Sequence, residues 1–209
     1  MLFRSENKTA LIDSPENLQT LTWMQDLVVN KQVSPAGATG ADIDNLMMSG
    51  KLGMLITGPW LVNGLKSNNI DFGMAAIPAG SVRQQIISGE IGFVVPSTAT
   101  DAEQAAAYEF IKYWMSDAVS KEWSLKNGFP AWKNSLLTDT DIMADPVQKA
   151  ISPLNSLGRS YNPTAYSAIS AIDNDALWPM IESVFIGGVS PADALKAAND
   201  LINNIFAAN

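Results

Sequence analysis

Three short apolar runs, set among amphipathic helical segments, constrain this chain more than any other feature. Residues 52–57, 70–77 and 91–95 are each bounded by Gly, Pro or Asn and are too short for ordinary helices, as buried strands are. Helical signals stand between and around them. Ser14-Pro15-Glu16 reads as a helix start, with a capping Ser, a Pro in the first turn and an acid at the positive end. Leu18, Leu21, Met24 (or Gln25) and Val28 follow at helical spacing, and the helix is expected to stop near Asn30. A second helix is expected over residues 42–49, ended by Gly50, and a third over 61–67 after Gly58-Pro59-Trp60. Residues 101–115 form the strongest amphipathic pattern, with Ala102, Ala105, Ala106, Phe110, Ile111 and Trp114 on broad apolar faces. Helical character resumes over 120–126 and stops at Gly128-Phe129-Pro130. A further stretch runs from Pro163 towards Val184, with Pro179 as a break or new start. The last helix begins at Ser190-Pro191, with Ala194, Leu195, Ala198, Leu201 and Ile205 expected along one face. Strands alternating with helices give an α/β fold class.

Composition narrows the chemistry. The 209 residues contain no cysteine and no histidine, which removes thiolate and imidazole metal sites and every Ser-His-Asp or Cys-His nucleophile system. The net charge of −8 disfavours nucleic acid and anionic membrane surfaces as partners. No cofactor or metal is expected, and the chain reads as a binder. Asp173 and Asp175 would be the nearest thing to a glycosidase pair, but residues two apart on a helix do not face each other.

Several segments, in order, carry a family resemblance: the Ser14-Pro15-Glu16 helix followed by Val33-Ser34-Pro35; Gly53-Met54-Leu55-Ile56-Thr57-Gly58-Pro59-Trp60; Phe72-Gly73-Met74-Ala75-Ala76-Ile77-Pro78; Ser88-Gly89-Glu90; Phe110-Ile111-Lys112-Tyr113-Trp114; Asn127-Gly128-Phe129-Pro130; and Gly188-Val189-Ser190-Pro191-Ala192-Asp193. Together they resemble the C-terminal half of family-1 extracellular sugar-binding proteins of ABC importers, the maltose-binding-protein type. The resemblance implies a periplasmic-binding-protein type II fold whose two lobes close on a sugar. Residues 9–90 and 134–209 would belong to the C-terminal lobe. Residues 91–133 would supply a hinge strand and helices packing on an N-terminal lobe, so that helix 101–115 exposes apolar surface. Residues 1–8 are expected to be a non-native or partial start, because Leu2-Phe3-Arg4-Ser5 is what the end of a common sequencing adapter encodes. The implied partners are a carbohydrate and membrane permease subunits. The receptor would be a monomer in the periplasm or outside the cell, with or without a lipid anchor.

The resemblance also implies a site: Gly58, Pro59 and Trp60; Gly89 and Glu90; Arg159 and Tyr161. Trp60 follows Gly-Pro at the end of a probable strand, where α/β folds bind ligands, and an indole face matches the C–H face of a pyranose. Its pattern suits a core Trp equally well. Glu90 reads either as a solvated loop acid or as an acceptor for two hydroxyls, and it departs from members that carry Gly-Gly there. Arg159 could fork onto hydroxyls and Tyr161 could stack, or both could sit on an exposed loop. Tyr166, Asn174 and Trp132 are weaker candidates, while Trp23, Trp114, Trp123 and Trp178 are expected to pack in the core. A glycerol-phosphate receptor on the same fold, a carboxylate-based glycoside hydrolase and a sensor module are the competing functions.

Overall fold

The structure is a computed structural model that describes residues 3–4 (backbone only), 9–87, 89, 92–159 and 168–208. It is helix-rich α/β and divides into two compact units, Met1–Thr39 with Asn162–Asn209, and Gly40–Tyr161.

In the first unit a short antiparallel ladder joins β1 (Phe3–Arg4) to β2 (Thr9–Ala10). Ser14 then caps α1 (Pro15–Gln25), its hydroxyl accepting from the Asn17 N–H at 3.3 Å, and the helix widens into a π turn over Asp26–Asn30. The expected stop near Asn30 is where this turn ends. Short α8 (Ile169–Ala171) opens into a second π segment, Ile172–Leu177, and α9 (Trp178–Phe185) starts with Pro179 in its first turn. Proline acts there as a new start, because the first turn of a helix has no use for its missing N–H. Gly188, at φ +71°, turns the chain into α10 (Pro191–Ala208).

α10 organises this unit. Ile202 is fully buried, and Ala194, Leu195, Ala198 and Phe206 join it against Ile12, Leu21, Ile172 and Val184. Of the expected face, Ala194, Leu195 and Ala198 are buried and Ile205 packs against the core, whereas Leu201 is exposed and Ile202 and Phe206 complete the core at i, i+4 spacing. Two asparagines on α10 do the work of a neighbouring strand. Asn203 Oδ1 accepts from the Ala10 N–H at 2.9 Å and Asn199 Oδ1 from the Ile12 N–H at 3.2 Å, so these two backbone donors are satisfied by side chains and not by a further strand. Trp23 and Trp178, expected in the core, are both exposed. Leu21 takes the buried face of α1, and Ala176 and Leu177 take the core positions beside Trp178.

The second unit contains α2 (Gly40–Met48), α3 (Val62–Ser67), α4 (Asp101–Trp114), α5 (Asp117–Asn127), α6 (Thr140–Ala144) and α7 (Pro146–Ile151). Helix boundaries follow local signals closely. Gly50 (φ +69°) lies just beyond α2, and Gly128 (φ +75°) caps α5 in the left-handed region. Thr100 and Glu103 form a reciprocal capping box on α4, the Glu carboxylate accepting from the Thr100 N–H at 2.8 Å. Strands fare differently. Among the described residues the expected strands 52–57, 70–77 and 92–95 join no ladder; β3 (Ile86–Ile87) pairs in parallel with β4 (Gly158–Arg159). Met54 is 91% exposed and Ile56 84% exposed. An apolar run supplies strand propensity, but a strand exists only where a partner accepts its hydrogen bonds.

Candidate functional site

The Gly58-Pro59-Trp60 turn, where the sequence expects ligand contact, lies in the second unit. Gly58 is extended (φ −96°, ψ 174°), as a residue before proline prefers, and Pro59 opens a 3₁₀ turn, Pro59–Leu61, that runs straight into α3. The residues after the turn are anchored. Leu61, Val62 and Leu65 are buried, and Val62 packs with Val147 and Ile151, flanked by Phe72 and Met74. Gly128 makes this packing possible: a Cβ there would lie 2.5 Å from Val62 Cγ2. Lys66 Nζ adds a hydrogen bond to the Leu125 carbonyl at 3.0 Å. Trp60 itself remains 60% exposed. A rigid base holding a large open aromatic face is what stacking on an uncharged ring requires. Of the two readings left open by the sequence, core Trp and presented Trp, the geometry supports the second.

A residue that sequence reasoning missed supports the base from below. Gln148, almost wholly buried on α7, donates from Nε2 to the carbonyls of Ser124 and Phe129, both at 3.0 Å. It thereby satisfies carbonyls at the end of α5 and in the following loop. Nothing in the local sequence marks it, because its partners lie 19 and 24 residues away.

The remaining predicted residues fall in two groups. The β3–β4 ladder sets Arg159 opposite Ile87, two residues before Gly89 in sequence. Arg159 is exposed and its guanidinium Nη1 donates to the Gly158 carbonyl at 2.7 Å. Glu90, Tyr161 and Tyr166 lie outside the described residues. Trp132 and Asn174 are exposed on the second and first units respectively. Trp114 and Trp123 lie in a row of ring contacts, Phe93–Phe110–Trp114–Trp123–Phe129, with successive centroids 5.2–6.1 Å apart, and Phe93 also touches Trp114 at 5.9 Å. An open hollow of about 530 Å³ in the first unit is lined by Val28, Val29, Gln32, Ser34, Pro35, Ala36 and Phe185. It includes none of the predicted residues. Among the described residues no group of three or more acidic, His or Cys side chains is placed to hold a metal ion. No described helix is long and apolar enough to cross a membrane.

Elsewhere in the second unit, charge is organised by structural pairs. Lys121 Nζ bridges Asp139 at 2.8 Å and Asp141 at 2.7 Å. The ammonium holds the Asp139 carboxyl below the usual range, and the Ile142 and Asp141 N–H groups that Asp139 caps add to the effect. The two carboxylates in turn raise Lys121.

The sequence profile of the bacterial extracellular solute-binding protein family matches residues 2–150. A maltotriose-binding protein of Pyrococcus abyssi is 24% identical over 144 residues, covering 65% of this chain and 30% of its own length. Among solved structures, an ABC transporter solute-binding protein of Thermotoga lettingae bound to α-D-tagatose superposes with a TM-score of 0.84 at 23% identity, over 99% of this chain and 53% of that one. The protein UgpB of Mycobacterium tuberculosis, in complex with glycerophosphocholine, gives 0.82 at 16% identity, over 97% and 51%. The fold is thus that of type II periplasmic binding proteins, and the chain spans about half the length of these structures.

Proposed function

The chain belongs to the bacterial extracellular solute-binding protein family, and from that premise we propose that it forms part of the sugar receptor of an ABC importer. The observation that carries the reading is Trp60: an aromatic face left largely open on a turn whose flanking residues are buried. A neutral mono- or oligosaccharide would lay its C–H face on the indole, while hydroxyls take hydrogen bonds from polar groups nearby. Gly89, Glu90, Arg159 and Tyr161 are proposed as those further contacts. Residues 9–90 and 134–209 would form one lobe, and residues 91–133 would reach a second. Closure of the lobes on sugar would create the surface that the permease reads. The protein would work as a monomer in the periplasm or at the outer face of the cell, and would bind without turnover. Names of the relatives support the class of ligand: maltotriose and tagatose are both uncharged sugars.

A second reading has its own support in the glycerophosphocholine-bound relative, and it makes a phosphorylated polyol the alternative ligand. One titration separates the two. Tryptophan fluorescence of the chain is followed against tagatose, maltose, maltotriose and glycerophosphocholine. The sugar reading expects a saturable change with a sugar that weakens at least about tenfold in Trp60→Ala, equivalent to about 1.4 kcal/mol. Saturation by glycerophosphocholine alone would replace it with the second reading. Release of free sugar from an oligosaccharide would contradict binding without turnover.

A further inference from the structure

Gly58 is not needed for its backbone. At φ −96° and ψ 174° it occupies extended space open to any residue, and the following proline favours that region regardless. Gly128 differs, because its φ of +75° calls for glycine in its own right. What Gly58 supplies is room. A Cβ placed on it would lie 1.8 Å from Cζ3 of Trp60 and 2.3 Å from both Cε3 and Cη2. The six-membered ring of the indole therefore rests where the side chain of residue 58 would be. Substitution cannot be absorbed by the backbone on the far side of Trp60, since Leu61 and Val62 are buried. The exposed indole, free to rotate about two torsions, is the part that must yield.

We propose that Gly58 is a positioning residue, the rest against which the Trp60 indole is held in one orientation before ligand arrives. The inference rests on the proposed role of Trp60 in sugar binding and adds how its ring is set. An exposed aromatic side chain ordinarily loses rotamer freedom on binding; one already seated loses less, and affinity rises accordingly. Gly58 then contributes through Trp60 and makes no sugar contact of its own.

Two measurements on the 209-residue chain test this. The first needs no ligand: nuclear Overhauser contacts between Gly58 Hα and the Trp60 ring protons Hε3 and Hζ3. Strong contacts are expected, and their absence in the folded chain overturns the proposal. The second is a double-mutant cycle read by sugar affinity. Gly58→Ala is expected to weaken binding roughly threefold to tenfold, the range expected for fixing one side chain, and to cost nothing further in a Trp60→Ala background. Equal losses with and without Trp60 would mean that residue 58 acts on sugar or backbone directly, and would overturn the proposal. If the parent chain binds no sugar, the proposed function fails, and the ring contacts alone decide whether Gly58 seats the indole.

Discussion

In the unit built from Met1–Thr39 and Asn162–Asn209, one helix gathers a continuous apolar core, and its two asparagines satisfy the extended segment laid beside it. In Gly40–Tyr161 the described buried apolar residues include two separate clusters of three, around Val62 and around Ala131, with Leu61 and Leu65 outside both, while α4 buries none of its residues. The same chain thus contains a unit closed by its own side chains and a unit whose extended segments and longest helix leave apolar groups open. The difference follows from the range of the forces. Helix hydrogen bonds close within four residues, so α4 forms on its capping box and propensity, with ring contacts to Phe93 and Trp123 but no fully buried residue. Strand hydrogen bonds need a second segment, and residues 52–57 and 70–77 have none among the described residues.

The largest test of this contrast is a pair of core and surface truncations. Ile202→Ala, on the organising face of α10, is expected to cost about 2–5 kcal/mol in urea unfolding. Ile56→Ala, at an equally apolar but exposed position, is expected to stay within about 0.5 kcal/mol of the parent. Equal costs would mean that residues 52–57 are buried in solution, which would break the comparison. Gln148→Leu comes next. It keeps the volume roughly but removes the side-chain donor from the Phe129 carbonyl and from the Ser124 carbonyl, which keeps the Gly128 N–H, for an expected loss of about 1–3 kcal/mol. Thr100→Ala removes the capping box of α4 and should cost about 1 kcal/mol. Because α4 buries nothing, that loss should appear as faster amide exchange in its first turn ahead of any change in the global midpoint.

The smallest effect is a pH dependence. Asp139 has a folded pKa held below its unfolded value by Lys121, so its contribution is present above about pH 4 and is lost as acid takes the pH through the lower folded value. Thermal midpoints of the parent should fall more between about pH 6 and pH 3 than those of Asp139→Asn. An identical fall in both would remove the pair from the account.

How much was legible beforehand follows the same division. The Ser14-Pro15 start, Gly50 and Gly128 as stops, Pro179 as a break or new start and the α/β class could all be read, because each signal is local. The exchange of Leu201 for Ile202 on the buried face of α10 could not, since the two are apolar neighbours and only packing against the rest of the core chooses between them. Trp23 and Trp178 were misassigned because a large apolar residue near a buried row need not lie on it. At the candidate site, Gly58-Pro59-Trp60 was visible as a motif and Arg159 as a charge near a turn. The Val62–Gly128 contact and the Gln148 bridge were not, because each joins residues far apart in sequence.

The central claim is that sugar rests on the Trp60 indole, and fluorine NMR of the chain labelled with 5-fluorotryptophan tests it most directly. Trp60 is assigned by its disappearance in Trp60→Phe, and the six tryptophan signals are followed as sugar is added. The account predicts a saturable shift of the Trp60 signal while those of Trp23 and Trp178 stay in place. Saturable binding of a sugar, seen calorimetrically, with the Trp60 signal unmoved would contradict it.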